Sequence, residues 1–164
     1  MRVAGSVERY HTWPTTTRQT VADHTWHVLR IYIQLFGAPD PDVTCAIMFH
    51  DAPAELKTGD LPFPIKSANP TLKAEIDKLE SEYLESMGIS TPDLTEEEWA
   101  SIKICDLLEM HEYAYHEICM GNKYAEPVYS DTLTAVYSII DGLDREGLPT
   151  VTLRSRIREF RETI

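Results

Sequence analysis

Phe49-His50-Asp51-Ala52-Pro53-Ala54-Glu55-Leu56-Lys57-Thr58-Gly59-Asp60-Leu61-Pro62-Phe63-Pro64-Ile65-Lys66 gathers one histidine, three carboxylates and two lysines into eighteen residues. The stretch reads as a helix giving way to a Pro-rich loop. Val43, Ala46, Ile47 and Ala54 lead through it at helical spacing, and His50 falls on the same stripe, so its imidazole is expected to point inward. On position alone such a histidine is either a hydrogen-bonded core residue or a ligand. Asp51 shifts the balance, because a carboxylate against a buried face is costly unless a metal or another cation neutralises it.

Working outward, Asp40-Pro41 supplies a cap residue and a first-turn proline for this helix, expected over about 41 to 56. Upstream, an amphipathic helix from about Val21 to Phe36 carries His24, Val28, Ile31, Tyr32 and Leu35 on one face and stops at Gly37. His24 therefore shares the interior of the aliphatic residues, His27 sits at the edge of that stripe, and Trp26 lies nearly opposite. Residues 1–20 form an irregular arm, aromatic and basic in an otherwise acidic chain. Tyr10 and Trp13 in it either cap the core or grip a substrate.

Downstream, Gly59-Asp60-Leu61-Pro62-Phe63-Pro64 must be loop. Asn69-Pro70 opens a third helix, about 70 to 87, whose stripe is Leu72, Ile76, Leu79, Tyr83 and Met87. Thr95-Glu96-Glu97-Glu98 is a capping box for a fourth helix running to about Met120. Trp99, Ile102, Asp106, Met110 and Tyr113 form its inner face, Lys103 lies about one helical step away, and His111 and His116 fall outside. Helices over about 125–143 and 150–162 complete an all-α chain of about six helices. Arg154, Arg156, Arg158 and Arg161 read as a solvated face of the last one.

Composition narrows the function. The 164 residues, 43% hydrophobic, suffice for one core and are read as a single domain, 1–164. The formal net charge of -12, with no compensating Lys/Arg block, opposes duplex nucleic acid. No run of about 18 apolar residues occurs and the first residues lack a continuous apolar core, so neither a membrane span nor a secretory leader is expected, and Cys45, Cys105 and Cys119 form no C-x-x-C pair. Free, buried thiols in the cytoplasm are the expectation.

Three helices thus deliver His24, His50 with Asp51, and Asp106 toward one interior. Two imidazoles and two carboxylates without a thiolate suit a divalent first-row metal, with Zn, Mn, Fe, Co and Ni all open. The order His24, His50-Asp51, Asp106 resembles the HD-domain metal phosphohydrolases, an all-helical superfamily. Arg9 fifteen residues before His24, the Gly59-Asp60-Leu61-Pro62-x-Pro64-x-Lys66 loop, and Lys103 three before Asp106 are similar to bacterial 5'-deoxynucleotidases and to the small dATP triphosphohydrolases of phages. The resemblance runs from about Arg9 to Asn122.

It implies a metal held by His24, His50, Asp51 and Asp106. Glu55 would orient or deprotonate the attacking water, and Asp60 would contact the sugar or assist proton transfer. Arg9, Lys66 and Lys103, with Arg18 in a lesser part, would neutralise phosphate oxygens, and Tyr10 or Trp13 would stack on the base. It also implies a homo-oligomer. In the relatives the glutamate comes four residues after the doublet histidine; here position 54 is Ala and the acid is Glu55, as a one-residue insertion would produce. Residues 52–105 contain no histidine, which favours one metal over two. A deoxynucleoside 5'-monophosphatase is placed ahead of a dATP triphosphohydrolase. A non-catalytic helical protein that binds nucleotide is the rival from another class.

Overall fold

Three of the helices begin where a side chain takes up the first orphan N–H groups. Thr20 and Asp23 do so reciprocally for α1 (Val21–Phe36): the Asp23 carboxylate accepts from the Thr20 N–H at 3.0 Å, and the Thr20 hydroxyl from the Asp23 N–H at 3.2 Å. Asn69 caps α3 (Pro70–Ser86) through Leu72 N–H at 3.1 Å. Thr95 and Glu98 form a complete capping box on α4 (Glu96–Cys119). The remaining helices are α2 (Pro41–Phe49), α5 (Glu126–Arg145) and α6 (Val151–Thr163), with short 3-10 turns at Ala4–Ser6 and Lys123–Ala125. The computed structural model describes residues 3–51, 69–90, 92–148 and 150–164. Every regular element among them is helical apart from a single Glu8–Thr20 bridge. None of the helices searched is long and apolar enough to cross a membrane.

The described residues group into two compact units, one drawn from Met1–Trp26 and Pro41–Asp93, the other from His27–Asp40 and Leu94–Ile164. In the first, the arm doubles back. Arg9 N–H donates to the Gln19 carbonyl at 2.8 Å and Val21 N–H to the Val7 carbonyl at 3.0 Å, while Ala4 and Val21 bury against Val7. The arm that reads as irregular is thus clamped directly ahead of α1. In the second unit α4 packs on α5, and Ile104, Leu108, Val136 and Ile140 are fully buried.

One boundary and several faces depart from expectation. α2 ends at Phe49, so His50 and Asp51 lie in a bend rather than inside a helix. The His50 ring occupies the Ile47 carbonyl at 2.8 Å, the acceptor that a further helical turn would need. Pro53 could not have donated to the Phe49 carbonyl in any case. On α3, Ile76 and Leu84 are the buried residues and Leu79 is exposed. Trp99 of α4 is also exposed, and so is Cys119, whereas Cys105 is buried and its thiol is pushed well up by desolvation and then by Asp106. Arg154 is not simply solvated, since its guanidinium reaches Asp141 and Asp144, both at 2.6 Å. Arg156 donates to the Leu35 carbonyl.

His111 is the largest correction. Expected outside the inner face of α4, as a surface or partner residue, it is wholly buried, stacked on Tyr129 with ring centroids 4.1 Å apart, and its Nδ1 donates to the Tyr129 carbonyl at 2.9 Å. Desolvation lowers its pKa from the ordinary 6.5, partly opposed by that hydrogen bond, and Arg161 lowers it further. The folded state therefore resists a proton that the unfolded chain accepts. Its contribution is fully present above about pH 6.5 and is lost as the pH falls toward the lower folded value. The thermal midpoint is expected to drop between pH 7 and pH 5. His111→Asn, which keeps a donor for the Tyr129 carbonyl but does not titrate, should flatten that slope; an unchanged slope would assign the acid sensitivity elsewhere.

Candidate metal centre

The bend after α2 does what a continued helix could not. Consecutive helical residues point about 100 degrees apart, but here both members of the doublet turn to one spot in the first unit. His50 Nε2 lies 3.2 Å from His24 Nε2, and Asp51 Oδ2 lies 3.5 Å from each of these nitrogens. His24 is wholly buried, on the α1 stripe that also buries Val21, Val28 and Ile31.

Hydrogen bonding sets the tautomer of His50. A carbonyl oxygen can only accept, so His50 Nδ1 carries the proton that binds the Ile47 carbonyl, leaving Nε2 with its lone pair turned toward His24 and Asp51. A backbone carbonyl holding the far ring nitrogen is the usual support of a metal-binding histidine. The donor spacing also fits. With bonds of about 2.0–2.1 Å, neighbouring ligand atoms around one ion stand about 3.0–3.4 Å apart, close to the separations found here. Imidazole nitrogens and a carboxylate oxygen, without sulfur, match a divalent metal ion.

Each candidate carboxylate carries a basic partner. Arg9, itself only 8% exposed, donates to Asp51 Oδ2 at 2.5 Å. In the second unit Asp106 is buried on α4 as expected, and Lys103 one turn before it binds Asp106 Oδ2 at 2.5 Å while remaining half exposed. Arg9 and Lys103, two of the residues assigned to phosphate, thus lie on carboxylates assigned to the metal.

The family model for 5'-deoxynucleotidase YfbR-like proteins matches residues 4–144 of the chain. The protein belongs to the YfbR-like 5'-deoxynucleotidase family. A curated relative, the 5'-deoxynucleotidase of Shewanella oneidensis, is 29% identical over 126 residues, which are 73% of this chain and 55% of the relative. The chain therefore spans only about half the length of that relative. Among solved structures, the cyanophage S-2L HD phosphohydrolase DatZ, bound to dA and one catalytic Zn2+ ion, superposes with a TM-score of 0.67 at 22% identity. That match covers 99% of this chain and 93% of DatZ, and it shows the HD-type fold.

Within this YfbR-like chain the other expected site residues divide. Tyr10 adopts φ 56, the left-handed region, which is the only such non-glycine among the described residues, and the Arg9 guanidinium lies over its ring at 5.6 Å. Three residues on, Trp13 N–H closes a turn onto the Tyr10 carbonyl at 2.8 Å, and its indole is exposed. Arg18 is largely exposed and pairs with Glu8 at 3.4 Å. Glu55, Asp60 and Lys66 lie outside the described residues. Among the buried polar residues that carry no role in the sequence reading are Gln19, whose backbone carbonyl accepts from the Arg9 N–H, and Glu109. Glu109 stands three residues after Asp106, so helical spacing would have marked it.

Proposed function

We propose that this protein is a divalent-metal-dependent phosphohydrolase of deoxynucleotides, a 5'-deoxynucleotidase that releases phosphate from deoxynucleoside 5'-monophosphates. The observation that carries the reading is the convergence of His24 Nε2, His50 Nε2 and Asp51 Oδ2 within 3.5 Å of one another. Membership of the YfbR-like family supports it independently. Asp106 is the proposed fourth ligand, on the sequence order His24, His50-Asp51, Asp106 that resembles the HD-domain phosphohydrolases. A divalent cation in such a site supplies Lewis acidity toward water and toward a phosphoryl oxygen.

The remaining work falls to the chain's own groups. In this reading Glu55 orients or deprotonates the attacking water, and Asp60 contacts the sugar or assists proton transfer. Arg9, Lys66 and Lys103 neutralise phosphate oxygens, with Arg18 in a lesser part, so that an acidic protein meets an anionic substrate through local positive charge. Tyr10 or Trp13 stacks on the base. A cytoplasmic homo-oligomer is the proposed working state, and light scattering on the purified protein reads the subunit number.

The test is product analysis with dAMP and dATP in the presence of Zn2+, Mn2+ or Co2+. Orthophosphate from dAMP, abolished by a chelator, is the expected result. Triphosphate from dATP with dAMP left untouched would make the protein a triphosphohydrolase instead. No turnover of either nucleotide with any of these metals would remove the enzyme reading altogether.

A further inference from the structure

Arg9 and the two imidazoles address one and the same oxygen. Asp51 Oδ2 accepts from Arg9 at 2.5 Å and is also the atom 3.5 Å from both His24 Nε2 and His50 Nε2. Resting on the metal reading above, we propose that Arg9 is a built-in competitor for the cation: it neutralises Asp51 in the metal-free protein and sets how tightly the ion is taken up.

Three observations carry this. A carboxylate only 19% exposed is stabilised by a positive partner, and Arg9 supplies one with 8% of its own side chain exposed. The guanidinium cannot step aside by losing its proton, because arginine stays charged at any pH a protein survives. An arriving ion must therefore share or win Oδ2 against a fixed positive charge, in surroundings where water screens poorly. Finally, the arm is anchored. Arg9 N–H to the Gln19 carbonyl at 2.8 Å and Val21 N–H to the Val7 carbonyl at 3.0 Å tie the guanidinium's root to the start of the helix that carries His24.

The consequence is a coupling between ion and substrate. Uptake of the ion frees guanidinium donors from Asp51, and an anion that engages those donors lowers the cost of ion uptake. By reciprocity, phosphate and metal then raise each other's affinity by one common factor. Lys103 provides the contrast. It makes the same 2.5 Å contact with Asp106, but its side chain is 47% exposed, so solvent screens it and it can swing away.

The experiment measures Mn2+ affinity by chelator competition in the wild type, Arg9→Gln and Lys103→Gln, each with and without inorganic phosphate. Arg9→Gln is expected to bind Mn2+ at least about fivefold more tightly, at the low end of common coupling factors, and to lose the enhancement by phosphate seen in the wild type. Lys103→Gln should change Mn2+ affinity by less than that. If Arg9→Gln is too unstable without metal, the rise in its thermal midpoint on adding Mn2+ is the readout, expected to exceed that of the wild type. Unchanged or weaker Mn2+ binding by Arg9→Gln would overturn the proposal while leaving the metal site standing. Absence of Mn2+ binding by the wild type, with Zn2+ and Co2+ also failing to bind, would overturn the metal reading and this inference with it.

Discussion

His50→Ala is expected to strip the bound divalent ion and to cut deoxynucleotide hydrolysis by about a thousandfold or more. Removing only the outer partner of a metal-binding histidine costs about 10–100-fold in affinity or activity, and His50 is proposed as a direct ligand. The loss should be chemical rather than structural. His50 follows the last residue of α2 and keeps only one described hydrogen bond to the backbone, at Ile47, so the metal-free variant should melt close to the metal-free wild type. Asp51→Ala should remove activity equally but also destabilise the chain. It removes the carboxylate that accepts from the Arg9 guanidinium at 2.5 Å, and breaking a pair this sheltered costs up to about 3–5 kcal/mol. Elemental analysis, hydrolysis assays and thermal melts on the two variants together separate these effects. Wild-type turnover by metal-free His50→Ala would end the proposed chemistry.

The second large effect lies away from the site. Leu108 on α4 is wholly buried, and Leu108→Ala should cost about 2–5 kcal/mol through lost transfer energy and the cavity left behind. For a chain of this size a loss of about 3 kcal/mol lowers the midpoint by about 6–12 °C. Differential scanning calorimetry reads it directly. A shift below about 2 °C would mean that α4 is not the core helix its burial pattern describes. Metal content per folded molecule should stay unchanged, which distinguishes this variant from the ligand variants.

Helix starts were legible because capping is local chemistry: the Thr95 box and the Asn69-Pro70 start both occur as written in the sequence. α1 was legible because it buries a single stripe, and His24 sits on it with Val28 and Ile31. α4 was only half legible. It buries Ser101, Ile104, Leu108 and His111 on one side and Ile102, Asp106 and Glu109 on another, so no single stripe describes it, and His111 was assigned to the wrong environment. α3 shows the opposite failure, for Leu79 continues the apolar period yet is exposed.

What the amino-acid order determined by itself was the set of helices, several of their caps and a set of candidate donors, because periodicity, capping and ligand chemistry are all properties of nearby residues. Only the tertiary structure decided that α2 stops before the doublet, that His50 and Asp51 turn to the same point as His24, and that Arg9 shares Asp51 with them. Those facts depend on which atom reaches one carbonyl or one carboxylate oxygen across 26 or 42 residues of chain, and no local pattern encodes a distance of that kind.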